Sequence, residues 1–314
     1  MNAGVLFPGQ GSQYVGMGRD LYDQYKMARD AFEEADNALD FPLSTLIFDG
    51  PAAKLEETEW QQPAILTVSI AAWRVFCERL PMFSPSLALG LSLGEYSAYV
   101  ASGVLEFPDA VRLTRLRGHA MQNAVPASVG GMMAVLGLAT EKVEELCMLA
   151  GGPGIVEPAN FNAPGQVVAS GLNQGLENLA QLVALAQGRT IRLSVSAPFH
   201  SSLLAPAGAV LAEALAQTAL KPAKFAVVAN VDAAVCLLPE DVVPRLVEQV
   251  SHPVRFEAGV RAALAMGVER FFEFGPGHSL ATLVKKIDRK IPVSSIENVQ
   301  GMLKALELLE AAKL

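Results

Sequence analysis

The stretch Gly90-Leu91-Ser92-Leu93-Gly94 constrains this chain more than any other. It ends the small apolar run 86–90, and a helix-like segment begins at once and reaches about Val100. A strand that turns directly into a helix belongs to an α/β architecture, in which the helix packs back on a parallel sheet. Two readings of Ser92 compete. In one, the turn is a nucleophile elbow. Glycines stand where side chains would collide, the hydroxyl is raised clear of the sheet, and the helix N-terminus offers unpaired N–H groups to a developing oxyanion. In the other, Ser92 is an ordinary N-cap and Glu95 closes a capping box. The strand before and the helix after favour the nucleophile.

The rest of the chain extends the same pattern. The run "AGVLF" reads as a buried strand that stops at the turn-rich loop "PGQGSQ". Helices are expected near 19–37, 61–80 and 108–123. From about 130 to 196 the order changes to β-α-β-β-α-β: "GMMAVLGL", "TEKVEELCMLAG", "GIVEPANFN", "QVVASG", "QGLENLAQLVALAQ" and "TIRLSVSA". That order is a ferredoxin-like unit. The expected fold is therefore a larger parallel-sheet, α/β-hydrolase-like domain over residues 1–128 and 197–314. A smaller ferredoxin-like domain, 129–196, is inserted between hinges at "VPASVGG" and "SAPFH". The strands "FAVVAN" and "ERFFEFG" complete the large sheet.

With 314 residues, 51% of them hydrophobic and 18% charged, the chain can bury a large core. A net charge of −8 argues against nucleic acid as a general partner, because phosphate binding needs a basic excess. No apolar run approaches a membrane span, and the opening "MNAGVLFPGQG" lacks the basic region of a signal peptide. Cys77, Cys147 and Cys236 are widely spaced and odd in number, which suits small core residues in a reducing, cytoplasmic compartment.

A serine hydroxyl needs a base. The four candidates are His119, His200, His252 and His278. His119 reads as an exposed helix residue, His252 as a turn residue before a proline, and His278 as a helix cap. His200 ends a strand and begins a helix, at the kind of position where α/β enzymes carry catalytic side chains. A histidine that merely starts a helix fits as well. Arg117 shares "RLTRLRGHAM" with two other arginines, so a solvated basic face competes with a clamp for an anionic group.

Seven segments in register, "FPGQGSQYVGMG", "GLSLGEYSA", "RLRGHAMQ", "ANFNAPGQVVASG", "APFHSSLL", "LVEQVSHPVRF" and "FFEFGPGHSLATL", span nearly the whole chain. Together they resemble the malonyl-CoA:acyl carrier protein transacylases and the acyltransferase domains of polyketide synthases. The resemblance implies ping-pong transfer of malonyl from malonyl-CoA to the phosphopantetheine thiol of acyl carrier protein. It implies no cofactor and no metal. By the same resemblance Ser92 is the nucleophile and His200 the base, oriented by a backbone carbonyl near Gln249. The amides of Gln10 and Leu93 form the oxyanion hole, and Arg117 pairs with the malonyl carboxylate. The glycines of "PGQGSQ" are then expected to let the backbone approach the thioester oxygen.

Many relatives carry histidine where this chain has Leu91, which cannot hydrogen-bond a carboxylate and so leaves more of that task to Arg117. Phe199 resembles the residue that crowds a 2-methyl branch in malonyl-preferring members, and Met121 is a further candidate for that pocket. An acidic carrier calls for a local basic patch on this acidic chain. Lys285, Lys286 and Lys290, with Arg189 and Arg192, are the candidates. The enzyme is expected to act as a monomer. Two alternatives keep the chemistry: a discrete polyketide acyltransferase and a malonate decarboxylase subunit. A serine esterase or thioesterase shares the turn but would not need Arg117, and a non-catalytic docking module would need none of the three residues.

Overall fold

The computed structural model describes residues 2–126, 128–195 and 197–311. The strands in chain order are β1 (Ala3–Phe7), β2 (Leu87–Gly90), β3 (Gly130–Leu136), β4 (Val156–Ala163), β5 (Gln166–Leu172), β6 (Arg189–Arg192), β7 (Ala226–Val228), β8 (Val235–Cys236), β9 (Arg270–Phe274) and β10 (Val293–Ile296). They form two sheets, a six-stranded one ordered β10-β9-β1-β2-β7-β8 and a four-stranded one ordered β4-β5-β3-β6.

The large sheet is parallel apart from the antiparallel β8 at its edge. Its central strands are buried along their whole length, as in a sheet covered on both faces. The helix Thr58–Arg79 lies in the core, with buried side chains along most of its length. Its Trp73 and Phe76 pack against Phe274 of β9 at ring separations of 5.2 and 5.0 Å. Among the described residues no helix is long and apolar enough to cross a membrane.

β1, β2 and β7 are neighbours and run parallel, so their carboxyl ends open on one edge of the sheet. The loop of Gln10, the turn of Ser92 and the segment of Asn230 leave from those three ends. This is where open α/β sheets bind ligands.

The small sheet is wholly antiparallel, and its order is that of a ferredoxin-like unit. The helices Thr140–Ala150 and Asn173–Leu185 bury their apolar stripes against it. β4 is also tied to the large unit, since Phe161 N–H donates to Val254 O and Val254 N–H to Ala159 O, each at 2.8 Å. The hinge segments 125–131 and 196–200 include Ala127 and Ser196, which lie outside the described residues.

Two local expectations are corrected. β6 stops at Arg192, well short of His200; the Leu193 N–H still donates to Met132 O of β3 at 3.0 Å, and no pairing with β3 is seen beyond it among the described residues. His200 does not begin a helix either. It lies in a turn with φ of 58°, followed by a short 3₁₀ turn and then the helix Ala205–Leu215.

Candidate active site

The serine turn is as tight as its glycines suggest. A Cβ on Gly90 would fall 1.8 Å from the Gly94 carbonyl carbon, and one on Gly94 would fall 2.0 Å from Phe7 O. Ser92 itself has φ of 53°, a left-handed conformation that costs a non-glycine residue roughly 1–3 kcal/mol. Its side chain caps nothing. The helix Gly94–Ala101 has no side-chain N-cap, and Glu95 is fully buried and turned elsewhere. The capping-box reading therefore does not describe this turn.

The Ser92 hydroxyl stands 2.6 Å from His200 Nε2. His200 Nδ1 lies 2.7 Å from the Gln249 carbonyl oxygen, which can only accept. The proton therefore sits on Nδ1, and Nε2 is left bare to take the serine's. Burial, reinforced by the nearby Arg117 charge, pushes the imidazole down to about 3, against the opposing pull of the Gln249 carbonyl. The ring is thus a neutral base over the ordinary pH range. His119, His252 and His278 are exposed and bonded or placed elsewhere.

Arg117 is not on a solvated face. It is fully buried in the helix Phe107–Asn123, while Arg112 of the same helix is exposed. Its Nη2 donates to Ser92 Oγ at 3.0 Å and to Gln249 Oε1 at 2.8 Å, and its Nη1 donates to Gln62 Oε1 at 2.6 Å. Its buried Nε has no hydrogen-bond partner. Burial lowers the guanidinium pKa, yet arginine's starting value is high enough to keep the charge. A buried cation whose hydrogen bonds go to amides and a hydroxyl is poised for an anion.

The Gln10 loop is pressed against the serine turn. A Cβ on Gly9 would lie 2.4 Å from Leu91 O, and Gly11 has φ of 92°. Gly9 answers to packing against Leu91, and Gly11 to its backbone conformation. Among the described residues the amides of Gln10 and Leu93 have no partner, so both are free to donate. Gln10 Nε2 donates to Gln61 Oε1 at 2.5 Å, which fastens the loop to the core helix.

A cleft of about 660 Å³ lies beside the site, with Gln10, Gln61, Leu193, Val195 and Phe199 among its walls. Met121 is fully buried and meets the site through Gln62, whose Nε2 lies 3.8 Å from the Met121 sulfur. Leu91 is half-buried against an apolar cluster that includes Leu6 and Val254. The basic candidates stand apart from all of these. Arg189 and Arg192 are exposed on β6, and Lys285, Lys286 and Lys290 are exposed at and beyond the end of the helix Ser279–Ile287. Arg189 lies in the same cross-strand row as the contact of Lys286, whereas Arg192, three residues along β6, is on the opposite face. Arg189 faces Leu136, Leu136 faces Gln166, and Lys286 Nζ donates to Gln166 Oε1 at 2.6 Å.

Three polar residues in the site escaped the sequence reading as functional positions. Asn230 accepts the Ser92 N–H at 2.7 Å and donates to Gly90 O at 2.7 Å, so it clamps both sides of the strained turn. Glu95 accepts from Gln249 Nε2 at 2.6 Å, Asn230 N at 3.2 Å and Tyr99 Oη at 3.2 Å. Burial raises its carboxyl to about 7 despite those bonds. Gln62 is the third. The available signal was a polar residue in an apolar setting: Asn230 ending "FAVVAN", Glu95 within "GEYSAYVA", Gln62 before "PAILTVSIAAW".

Residues 5–308 match the acyl transferase domain. The chain belongs to that family. It is 44% identical over 308 residues to a malonyl CoA-acyl carrier protein transacylase of Bacillus subtilis (strain 168), covering 97% of this chain and 96% of the relative. It is 40% identical over 304 residues to the Escherichia coli (strain K12) protein of the same name, covering 96% and 98%. Among solved structures, an acyl carrier protein S-malonyltransferase from Vibrio cholerae superposes with a TM-score of 0.94 at 38% identity, covering 97% of this chain and all of the other. A malonyl-transacylase solved with its type II polyketide acyl-carrier protein gives 0.95 at 38% identity, covering 98% and 100%. The family's two-sheet architecture and its acyltransferase activity are those of this chain.

Proposed function

We propose that this acyltransferase moves a malonyl group from malonyl-CoA to the phosphopantetheine thiol of acyl carrier protein through an ester on Ser92. The observation that carries the reading is the buried Arg117 guanidinium, 3.0 Å from the nucleophile's oxygen. A hydrolase of neutral esters has no use for a buried cation at that point, whereas a carboxylate-bearing acyl group supplies the missing anion.

The steps follow from the geometry. Ser92 Oγ attacks the thioester carbonyl as His200 Nε2 takes its proton. The Gln10 and Leu93 amides hold the oxyanion. The carbon–sulfur bond breaks, and His200 returns the proton to the departing CoA thiolate. The carrier thiol then gives a proton to His200 and attacks the ester, and Ser92 recovers its hydrogen. Acylation turns Oγ into a weak ester acceptor. This frees the Nη2–H of Arg117 and, with the unpartnered Nε, leaves two donors for the malonyl carboxylate.

In this reading Phe199 bounds the acyl pocket, with Met121 and Leu91 lining its rear. The exposed Arg189, Arg192, Lys285, Lys286 and Lys290 meet the acidic carrier. Support comes from the cross-strand row that links Arg189 to Lys286 through Leu136 and Gln166, and from the general value of rim charges in steering encounter. The reaction needs no cofactor beyond its two substrates. The enzyme acts as a monomer in the cytoplasm, and the three free cysteines support the reducing compartment.

The decisive test is brief mixing with malonyl-CoA, followed by mass spectrometry of peptides. The malonyl adduct is expected on the peptide that contains Ser92, and adding acyl carrier protein should discharge it. An adduct elsewhere, or release to water with no malonyl carrier formed, overturns the reading.

A further inference from the structure

Arg117 is aimed by an amide, and an amide has two ends. Gln249 presents its carbonyl to Arg117 Nη2 at 2.8 Å. Turned over, it would set an NH₂ group against a buried guanidinium, donor against donor, and the cation would lose one of its three bonds. What holds Gln249 the right way round lies behind it. Its Nε2 donates to Glu95 Oε2 at 2.6 Å and to Ser92 O at 2.9 Å. Of these two acceptors the Glu95 oxygen is the shorter contact, and it accepts whether the carboxyl is ionised or carries its proton on the other oxygen, toward Tyr99.

The same Glu95 oxygen also receives the Asn230 N–H at 3.2 Å. One carboxyl group thus holds the side chain of Gln249 and the backbone of Asn230, the two residues that brace the Ser92 turn. Glu95 touches neither Ser92 Oγ, His200 nor the cleft, and the catalytic steps above make no use of it. Yet it is fully buried, where a carboxyl group without a task is costly. Tyr99 Oη satisfies its other oxygen at 3.2 Å.

We propose that Glu95 is a positioning residue for acyl selectivity: it locks the Gln249 amide in the orientation that directs Arg117 at a substrate carboxylate. The inference rests on the reading of Arg117 as the malonyl partner. It assigns to this acid, embedded in an apolar helix, the preference for a dicarboxylic acyl group over a neutral one. Hydrogen-bond acceptance is the property required. A glutamine at 95 can offer its carbonyl to Gln249 and Asn230 while its NH₂ faces the Tyr99 hydroxyl, which turns to accept. An alanine offers nothing, and an aspartate is one methylene too short to span both partners.

The test is single-turnover acylation by malonyl-CoA and by acetyl-CoA in the parent, Glu95→Ala, Glu95→Asp, Glu95→Gln and Arg117→Ala, with thermal melting recorded for each. Glu95→Ala should lower the malonyl-to-acetyl ratio of acylation rates about tenfold, the equivalent of about 1.4 kcal/mol. Glu95→Asp should shift it in the same direction, and serves as the reading if the alanine variant does not fold. Glu95→Gln should restore most of the ratio. A residue that only supports the fold would lower melting temperature and slow both thioesters alike, leaving the ratio unchanged in the alanine and aspartate variants; that result overturns the proposal. If Arg117→Ala collapses the ratio while the Glu95 variants keep it, this inference alone fails. If Arg117→Ala keeps it, the reading of Arg117 fails first.

Discussion

The two groups of charged residues to which the proposed function assigns the two substrates are built on opposite principles. Beneath Ser92, Arg117 and Glu95 are fully buried, and their hydrogen bonds run through Gln62, Gln249, Asn230 and Tyr99. On the surface, Arg189 and Arg192 of β6 and Lys285, Lys286 and Lys290 at and beyond the end of the helix Ser279–Ile287 are exposed, and Lys286 reaches Gln166. Inside, the low dielectric makes each hydrogen bond strong and each unpaired group expensive, so small displacements are costly. Outside, water and salt screen every charge, and a single one is worth little. A small acyl group can be selected by the first kind of site. A folded acidic carrier can be attracted by the second kind and still released.

Removing the nucleophile tests the interior group most severely. Ser92→Ala should lower malonyl transfer by on the order of 10³-fold or more and abolish the covalent adduct, as loss of a nucleophile does elsewhere. Transfer that survives in this variant would mean that another residue carries the acyl group.

The next largest effect is on selectivity. Arg117→Ala should reduce kcat/KM for malonyl-CoA at least about tenfold, since a hydrogen bond to a charged group is worth roughly 1.5–3 kcal/mol. Acetyl-CoA should gain relative to malonyl-CoA, because the neutral acyl group no longer faces an unpaired cation. An unchanged preference, measured with both thioesters, removes Arg117 from the acyl site.

A pH profile sharpens the same point. His200 acts as a base only when neutral, so acylation fails as pH falls through its pKa. Burial and the Arg117 charge put that pKa at about 3, well below an ordinary imidazole. Acylation measured on brief mixing should therefore stay nearly flat from pH 8 down to about 5, where a free imidazole of pKa about 6.5 would be largely protonated. In Arg117→Ala the acid limb should move to higher pH, since one of the two depressing causes is gone. A parent profile that halves near pH 6.5 would contradict the buried, neutral base.

The exterior group should give the smallest change. Lys285→Glu, Lys286→Glu and Lys290→Glu together should raise KM for the carrier about fivefold at low salt, from rim charges worth roughly 0.2–1 kcal/mol each. Acylation by malonyl-CoA should be unaffected, and the difference should shrink as salt is added. Equal transfer by the triple variant at low salt would place the carrier on another face.

Local chemistry was legible in the sequence because it is written in spacing. The strand, the glycines and the helix around Ser92 meet within a few residues, and the β-α-β-β-α-β order of the small sheet follows from periodicity and turns. The placement of Arg117 was not legible: one helix carries it buried and Arg112 exposed, and composition treats them alike. His200 shows the same limit, since the strand expected to deliver it ends early and a left-handed turn does the work instead. What only the tertiary structure decided is the set of partners. Gln62 lies 55 residues from Arg117, and Asn230 and Gln249 lie 138 and 157 residues from Ser92. Each is delivered by a strand end or helix whose neighbours are set by sheet order rather than by sequence distance. The sequence by itself determined where a nucleophile is raised; the packing of β1, β2 and β7 and of the helices that carry Gln62, Arg117 and Gln249 decided which polar groups surround it, because hydrogen bonds form between atoms that the fold brings within about 3 Å.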